Sequence, residues 1–153
     1  MKILLVTQYF YPETFKSTDL AFELQKRGHE VTVLTGIPNY PEGKIYESYG
    51  FFKNRKQNIN GVKIIRSLLL PRGNGGGIRL FLNYYSFAFF ASIKAFLLGM
   101  SDTYDTVIVH EPSPITQFSP ALLLKKLWKT PIYCWVMDLW PESLSIAGGV
   151  KNK

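Results

Sequence analysis

Apolar residues in this chain fall into short unbroken runs, separated by stretches where they return every three or four positions. Lys2-Ile-Leu-Leu-Val-Thr7 is such a run, the pattern of a parallel strand covered on both faces. Ser17, Thr18 and Asp19 then supply helix N-cap types, and Leu20, Ala21 and Leu24 share a helical face. Arg27-Gly28 gives a basic last turn and a glycine stop. "HEVTVLTG" is a second strand, so the chain opens β-α-β. A long polar and aromatic loop is expected from Ile37 to Val62, followed by a third strand at Val62 to Ser67 and a flexible turn at Pro71 to Gly77. Ile78 to Met100 reads as one long, mostly apolar helix. Thr106 to His110 is a fourth strand, Pro114 to Lys129 is mostly helical, and Pro131 to Met137 reads as a buried fifth strand. Strands alternating with helices predict an α/β, doubly wound, mainly parallel sheet of Rossmann-like type.

Length and charge narrow the picture. With 153 residues the chain fits a single domain, large enough to bury a real core. Its net charge of +7 favours anionic partners, either phosphorylated ligands or an anionic membrane surface. The positive charge is scattered and forms no recognition helix, so no nucleic acid partner is expected. The single Cys134 offers neither a disulfide framework nor a metal spacing, which predicts a cytoplasmic chain without a metal site. Ile78 to Met100 is long enough to cross about 30 Å of hydrocarbon. Asn83, Ser86 and Lys94 nevertheless lay a weakly polar stripe along it, and its place between two strands points to a core or an interfacial helix. In "YGFFKNRKQN", Lys53, Arg55 and Lys56 lie close to Phe51 and Phe52, a second candidate for anionic head groups or else an ordinary solvated loop.

Open parallel sheets bind ligands beyond the carboxyl ends of their strands. The residues expected there are Gln8, Tyr9, Glu13 and Lys16 after the first strand, and Gly36, Asn39 and Tyr40 after the second. His110, Glu111 and Ser113 follow the fourth, and Asp138 and Glu142 the fifth. No G-x-G-x-x-G follows the first strand and no G-x-x-x-x-G-K-[ST] exists, so a nicotinamide cofactor or a phosphate loop is a poor fit. Asp138 and Glu142 are acids suited to take a proton; Asp138 is equally suited to cap the next helix. Trp140 can stack on a ligand ring or simply pack. His110 and Glu111 can shape a cleft or cap, and Asn39 with Tyr40 can hydrogen-bond to and stack on a ligand or make a plain turn.

"YPET…DLAFELQKRGHEVTVLTGIPNYPEGK", "VHEPSP" and "VMDLWPES" together resemble the N-terminal half of a GT-B glycosyltransferase of family 4. The likeness is to the fucosaminyltransferase-like branch serving bacterial O-antigen, capsule or colanic acid, and it runs over essentially the whole chain. "PNYPEGK" with "DLWPES" carries most of its specificity. The resemblance implies two Rossmann-like domains facing a cleft, the N-terminal one binding the acceptor and the C-terminal one the nucleotide sugar through an E-x7-E motif. It implies transfer with retention of configuration, with no metal or other cofactor and a UDP-sugar as substrate. The implied acceptor is a polyprenyl-diphosphate-linked sugar, met at the inner membrane face by a peripherally associated protein in lipopolysaccharide or capsule synthesis.

Two departures from that pattern stand out. A Gly-Gly pair that many members place in the first loop is here Thr14-Phe15-Lys16-Ser17, so either Lys16 and Ser17 replace its phosphate contacts or phosphate is bound elsewhere. No E-x7-E follows "DLWPES", so residues 1–153 are expected to form one acceptor-binding domain, without the donor domain and inactive alone. The alternative is a short, non-catalytic subunit of a split glycosyltransferase that recruits a donor-binding chain to the membrane. A free-standing nucleotide-binding regulator suffers from the missing phosphate loop.

Overall fold

A computed structural model describes residues 1–111 and 114–137, Glu111 in its backbone only. Its strands are β1 (Lys2–Val6), β2 (Glu30–Gly36), β3 (Lys56–Ile59), β4 (Val62–Ser67), β5 (Thr106–Glu111) and β6 (Ile132–Val136). The helices are α1 (Lys16–Lys26), α2 (Gly77–Ser101) and α3 (Ser119–Trp128), with a 3-10 turn at Ile115–Phe118 leading into α3. The strands form one sheet in the order β3-β4-β2-β1-β5-β6. All neighbours are parallel except β3 and β4. The parallel strands thus run third, second, first, fourth, fifth in chain order, the doubly wound arrangement expected from the sequence.

Two strands depart from expectation. The long loop after β2 contains β3, which turns back into β4 through Asn60-Gly61, both at positive φ (52° and 82°). That is the backbone a two-residue hairpin demands and Asn-Gly supplies. β6 is not a buried strand: it pairs with β5 at the sheet edge, and Tyr133, Cys134, Trp135 and Val136 are all exposed. An apolar run marks a covered strand only when both faces are occupied; among the described residues the outer side of β6 carries no further strand.

Two apolar layers hold the sheet. On one face, Leu5, Val33, Val62 and Ile64 pack with Phe10 and with Ala21 of α1. On the other, Leu4, Val6, Leu34, Val107 and Val109 meet α2 and α3. α2 turns Asn83, Phe87, Ala91, Ala95 and Gly99 inward at four-residue intervals, all buried, with Gly99 against Leu124 and Trp128 of α3; this is the spacing that returns a helix to one face. Fully burying a side chain such as Leu4 or Phe87 stabilises the fold by about 1.5–3 kcal/mol.

Candidate functional site at the sheet's switch point

The direction of winding reverses at β1, which lies between β2 and β5. The crevice beyond the ends of β1 and β5 is therefore where a doubly wound sheet receives a ligand. β1 delivers Thr7 and Gln8 there, and β5 delivers His110.

His110 is buried, with Nδ1 3.4 Å from Thr7 Oγ1. Thr7 spends its hydroxyl proton on Tyr9 O at 3.1 Å, so its oxygen is left to accept from Nδ1–H. That places the proton on Nδ1 and a lone pair on Nε2. Among the described residues Nε2 has no partner, and the imidazole rests edge-to-face on Trp135 at 5.0 Å. Burial lowers the His110 pKa below its ordinary value of 6.5, because charging the ring would strand a cation in an apolar setting. A neutral imidazole with an unclaimed lone pair accepts hydrogen bonds and can take up a proton.

Beside it runs a buried amide network. Gln8 N–H donates to Gln117 Oε1 at 2.8 Å, and Gln8 Nε2 donates to Asn83 Oδ1 at 2.6 Å. Asn83 Nδ2 donates to Leu70 O at 2.6 Å and, more weakly, to Asn39 Oδ1 at 3.4 Å. Asn39 Oδ1 also accepts the backbone N–H of Arg72 at 3.1 Å. One chain of amides thereby links β1, the loop after β2, the segment after β4 and α2. Gln8 Oε1 is buried without a donor among the described residues.

Glu13 ties the first two loops together. Oε1 accepts N–H from Asn39 and from Tyr40, each at 2.8 Å, and Oε2 accepts from Phe10 at 3.2 Å. Desolvation pushes its pKa up to about 7, against the pull of those donors and of Arg66. Arg66 itself is wholly buried at the end of β4 and donates to Tyr11 O, Gly36 O and Gln57 Oε1. Gly43 closes the β2 loop against the segment after β4: at φ +74° a Cβ there would stand 1.8 Å from Gly73 O. Only glycine permits that approach.

The surface above this layer is aromatic and basic. Tyr40 is exposed; its ring lies against Phe15 at 5.3 Å and Tyr9 at 5.5 Å, and the Arg72 guanidinium sits over it at 4.9 Å. An aromatic face can meet the C–H side of a sugar, and a guanidinium can meet a phosphate.

The rim residues expected from the sequence therefore divide. Tyr40 is on the surface, and Lys16 is exposed at the start of α1. Glu13, Asn39 and Ser17, whose Oγ donates to Tyr9 O at 3.0 Å, are turned inward on the backbone. His110 lies beneath the rim. Glu111 ends β5, with its side chain outside the described residues; Asp138, Trp140 and Glu142 also lie outside them. Among the described residues, no three His, Cys, Asp or Glu side chains cluster as a metal site would need. Sequence reasoning did not select Thr7, Asn83, Gln117, Arg66 or Arg72. Polar residues at strand ends, and one amide in an apolar helix, were the available signals.

No family model matches the chain, and no curated protein matches it. Solved structures do. The calicheamicin glycosyltransferase CalG4 aligns over 98% of this chain and 38% of its own, with a TM-score of 0.58 and 17% identity. Two crystal structures of the C-terminal domain of PF1911 hydrogenase from Pyrococcus furiosus align over 87% and 88% of this chain and 89% and 90% of theirs. Their TM-scores are 0.55 and 0.54, at 16% and 18% identity. At such identities the likeness is one of fold: an α/β, Rossmann-like domain of the kind a glycosyltransferase contains. The differing activities in those names leave the choice of chemistry to the site.

Proposed function

We propose that this chain is the acceptor-binding domain of a retaining GT-B glycosyltransferase, which moves a sugar from a nucleotide sugar to a lipid-linked saccharide in cell-surface polysaccharide synthesis. The observation that carries the reading is the switch-point rim. His110, neutral and with Nε2 unclaimed among the described residues, stands at the end of β5; Gln8, with Oε1 likewise unsatisfied, follows β1; and the Tyr40–Arg72 surface is exposed beyond β2 and β4. Saccharide hydroxyls supply the donors those acceptors lack, a sugar's C–H face suits Tyr40, and a diphosphate suits Arg72 and Lys16.

In the transfer, the acceptor hydroxyl oxygen bonds to the anomeric carbon. The bond from that carbon to the nucleotide diphosphate breaks, its electron pair leaving with the diphosphate, and the hydroxyl proton passes to a base. Asp138 and Glu142 are proposed for that proton and for orienting the sugar, with His110, Glu111 and Trp140 shaping the acceptor side. Donor binding, with UDP-sugar as the expected substrate and no metal or cofactor, belongs to a second domain facing this rim. Without it, turnover is not expected.

Saturation-transfer NMR tests the reading, using a short-chain prenyl-diphosphate N-acetylglucosamine and, separately, UDP-N-acetylglucosamine. Saturation of the prenyl-linked sugar, diminished in Tyr40→Ala, is expected. Tight binding of the free nucleotide sugar alone, or sugar turnover by residues 1–153 alone, would overturn it.

A further inference from the structure

α2 buries one face and leaves the other uncovered. Nine large apolar side chains between Ile78 and Met100 are exposed, Ile78 by 79% and Phe89 by 63%. At 100° per residue, Ile78, Leu82, Phe89, Ile93 and Met100 fall within a narrow arc centred on Phe89. This is a continuous apolar ridge roughly 33 Å long, and monomeric proteins seldom leave such a surface open. The helix cannot turn end-on to span a bilayer without dismantling the fold. Its opposite face carries Phe87 and Ala91 into the core, and Asn83 into the amide network.

Charge selects the occupant. From Ser48 to Ser101 the chain contains no Asp or Glu but eight Lys or Arg. The segment from Pro114 to Met137, which includes α3 packed on α2, again has no acid and carries Lys125, Lys126 and Lys129. A cavity of about 620 Å³ lies between the β3–β4 edge and α2, with Phe51, Phe52 and Leu68 on its walls and Arg55, Lys56, Lys94 and the buried Arg66 as its cations. The elements around the ridge are thus apolar and cationic together. A second copy of this chain, itself carrying +7, would be repelled by that charge; an anionic headgroup layer over hydrocarbon matches both the cations and the apolar ridge.

We infer that the outward face of α2 lies in the plane of an anionic bilayer surface, with the Arg55–Lys56–Lys94 cavity holding a lipid phosphate. The inference deepens the proposed function in naming where a lipid-linked acceptor would be met. Its evidence is α2 and its surroundings alone, and it stands or falls without sugar transfer. Apolar insertion and headgroup attraction add, each basic side chain near the surface strengthening binding about fivefold.

Co-sedimentation with phosphatidylcholine vesicles, with and without phosphatidylglycerol, tests it. Binding is expected with phosphatidylglycerol and to weaken with salt. Phe89→Ser/Ile93→Ser is expected to reduce it more than about tenfold, and Lys56→Glu/Lys94→Glu to abolish the preference for phosphatidylglycerol. All four side chains lie outside the core, and an unchanged melting curve checks that each variant folds. Failure to sediment, or binding indifferent to both double variants, overturns the inference. So does a concentration-dependent dimer that Phe89→Ser/Ile93→Ser dissolves, which would make the ridge an interface between copies. None of these outcomes bears on saccharide binding at the rim.

Discussion

Glu13 Oε1 accepts the backbone N–H of Asn39 at 2.8 Å, joining the loop after β1 to the loop after β2. The same carboxylate holds Tyr40 and Phe10, so its loss strands three donors. A buried unsatisfied group costs about 1–3 kcal/mol, and some of these donors would reach water once the loops loosen. Glu13→Ala is therefore expected to lose about 3 kcal/mol in urea denaturation. Glu13→Gln should lose less, since its amide oxygen still serves Asn39 and Tyr40.

The same residue gives stability a pH dependence. With the pKa raised from 4.5 to about 7 by desolvation, the folded chain holds this proton more tightly than the unfolded one. The group's contribution is complete below its ordinary value and is lost as pH rises through about 7, amounting to roughly 3 kcal/mol. His110 acts oppositely. Burial lowers its pKa, so its contribution is present above 6.5 and lost as pH falls through the folded value. Stability is expected to decline from about pH 5 to about pH 8 through Glu13, and the decline to flatten in Glu13→Gln. A decline of equal slope in that variant would mean Glu13 is not its source.

Thr7 fixes the tautomer of His110 by accepting from Nδ1. Thr7→Val keeps the shape but removes the oxygen, leaving Nδ1–H without its partner. A stability loss of about 1–3 kcal/mol is expected. The nitrogen NMR shifts of the ring should move from an Nδ1-protonated pattern toward a mixture of tautomers. An unchanged pattern would mean that the ring is oriented by its packing on Trp135 alone.

The alternation of apolar runs and helical periods made the parallel sheet readable, because strand burial and helix amphipathicity are local properties. β3 was not readable: Lys56-Gln-Asn-Ile59 is short and polar, and the Asn-Gly cue beside it sat in what otherwise looks like loop. The rim was readable as a place, from the rule for doubly wound sheets, but not in its division of labour. Whether Glu13 and Asn39 face a ligand or the backbone depends on loops brought together from distant parts of the chain. In the same way the stripe Asn83–Ser86–Lys94 registered only as weak polarity.

In the fold that stripe has work for each member. Asn83 bridges Gln8 and Leu70, Ser86 Oγ accepts the N–H of Leu70 at 2.9 Å, and Lys94 reaches the cavity beside β4. Asn83→Leu would make α2 a better apolar helix by composition, yet it strands Gln8 Nε2 and Leu70 O in a buried layer. A loss of about 2–4 kcal/mol is expected, read as a lower urea midpoint. A neutral result would mean that the amide network does not hold α2 to the sheet.

Tyr40 and Arg72 separate binding from folding. Tyr40 is exposed, and the Arg72 side chain lies over its ring, so neither side chain belongs to the core. Stacking on an aromatic face is worth about 0.5–1.5 kcal/mol, and a charge-assisted contact to phosphate about 1.5–3 kcal/mol. Arg72→Ala is accordingly expected to weaken prenyl-diphosphate N-acetylglucosamine binding by roughly tenfold or more, and Tyr40→Ala by a smaller factor. Both should melt within a few degrees of the parent. Glu13→Gln, by contrast, would act on stability first and reach the ligand only through the position of Tyr40. Calorimetry of the three variants distinguishes these routes: equal losses of affinity in all three would mean that the rim binds through its backbone shape, and not through the Tyr40–Arg72 surface.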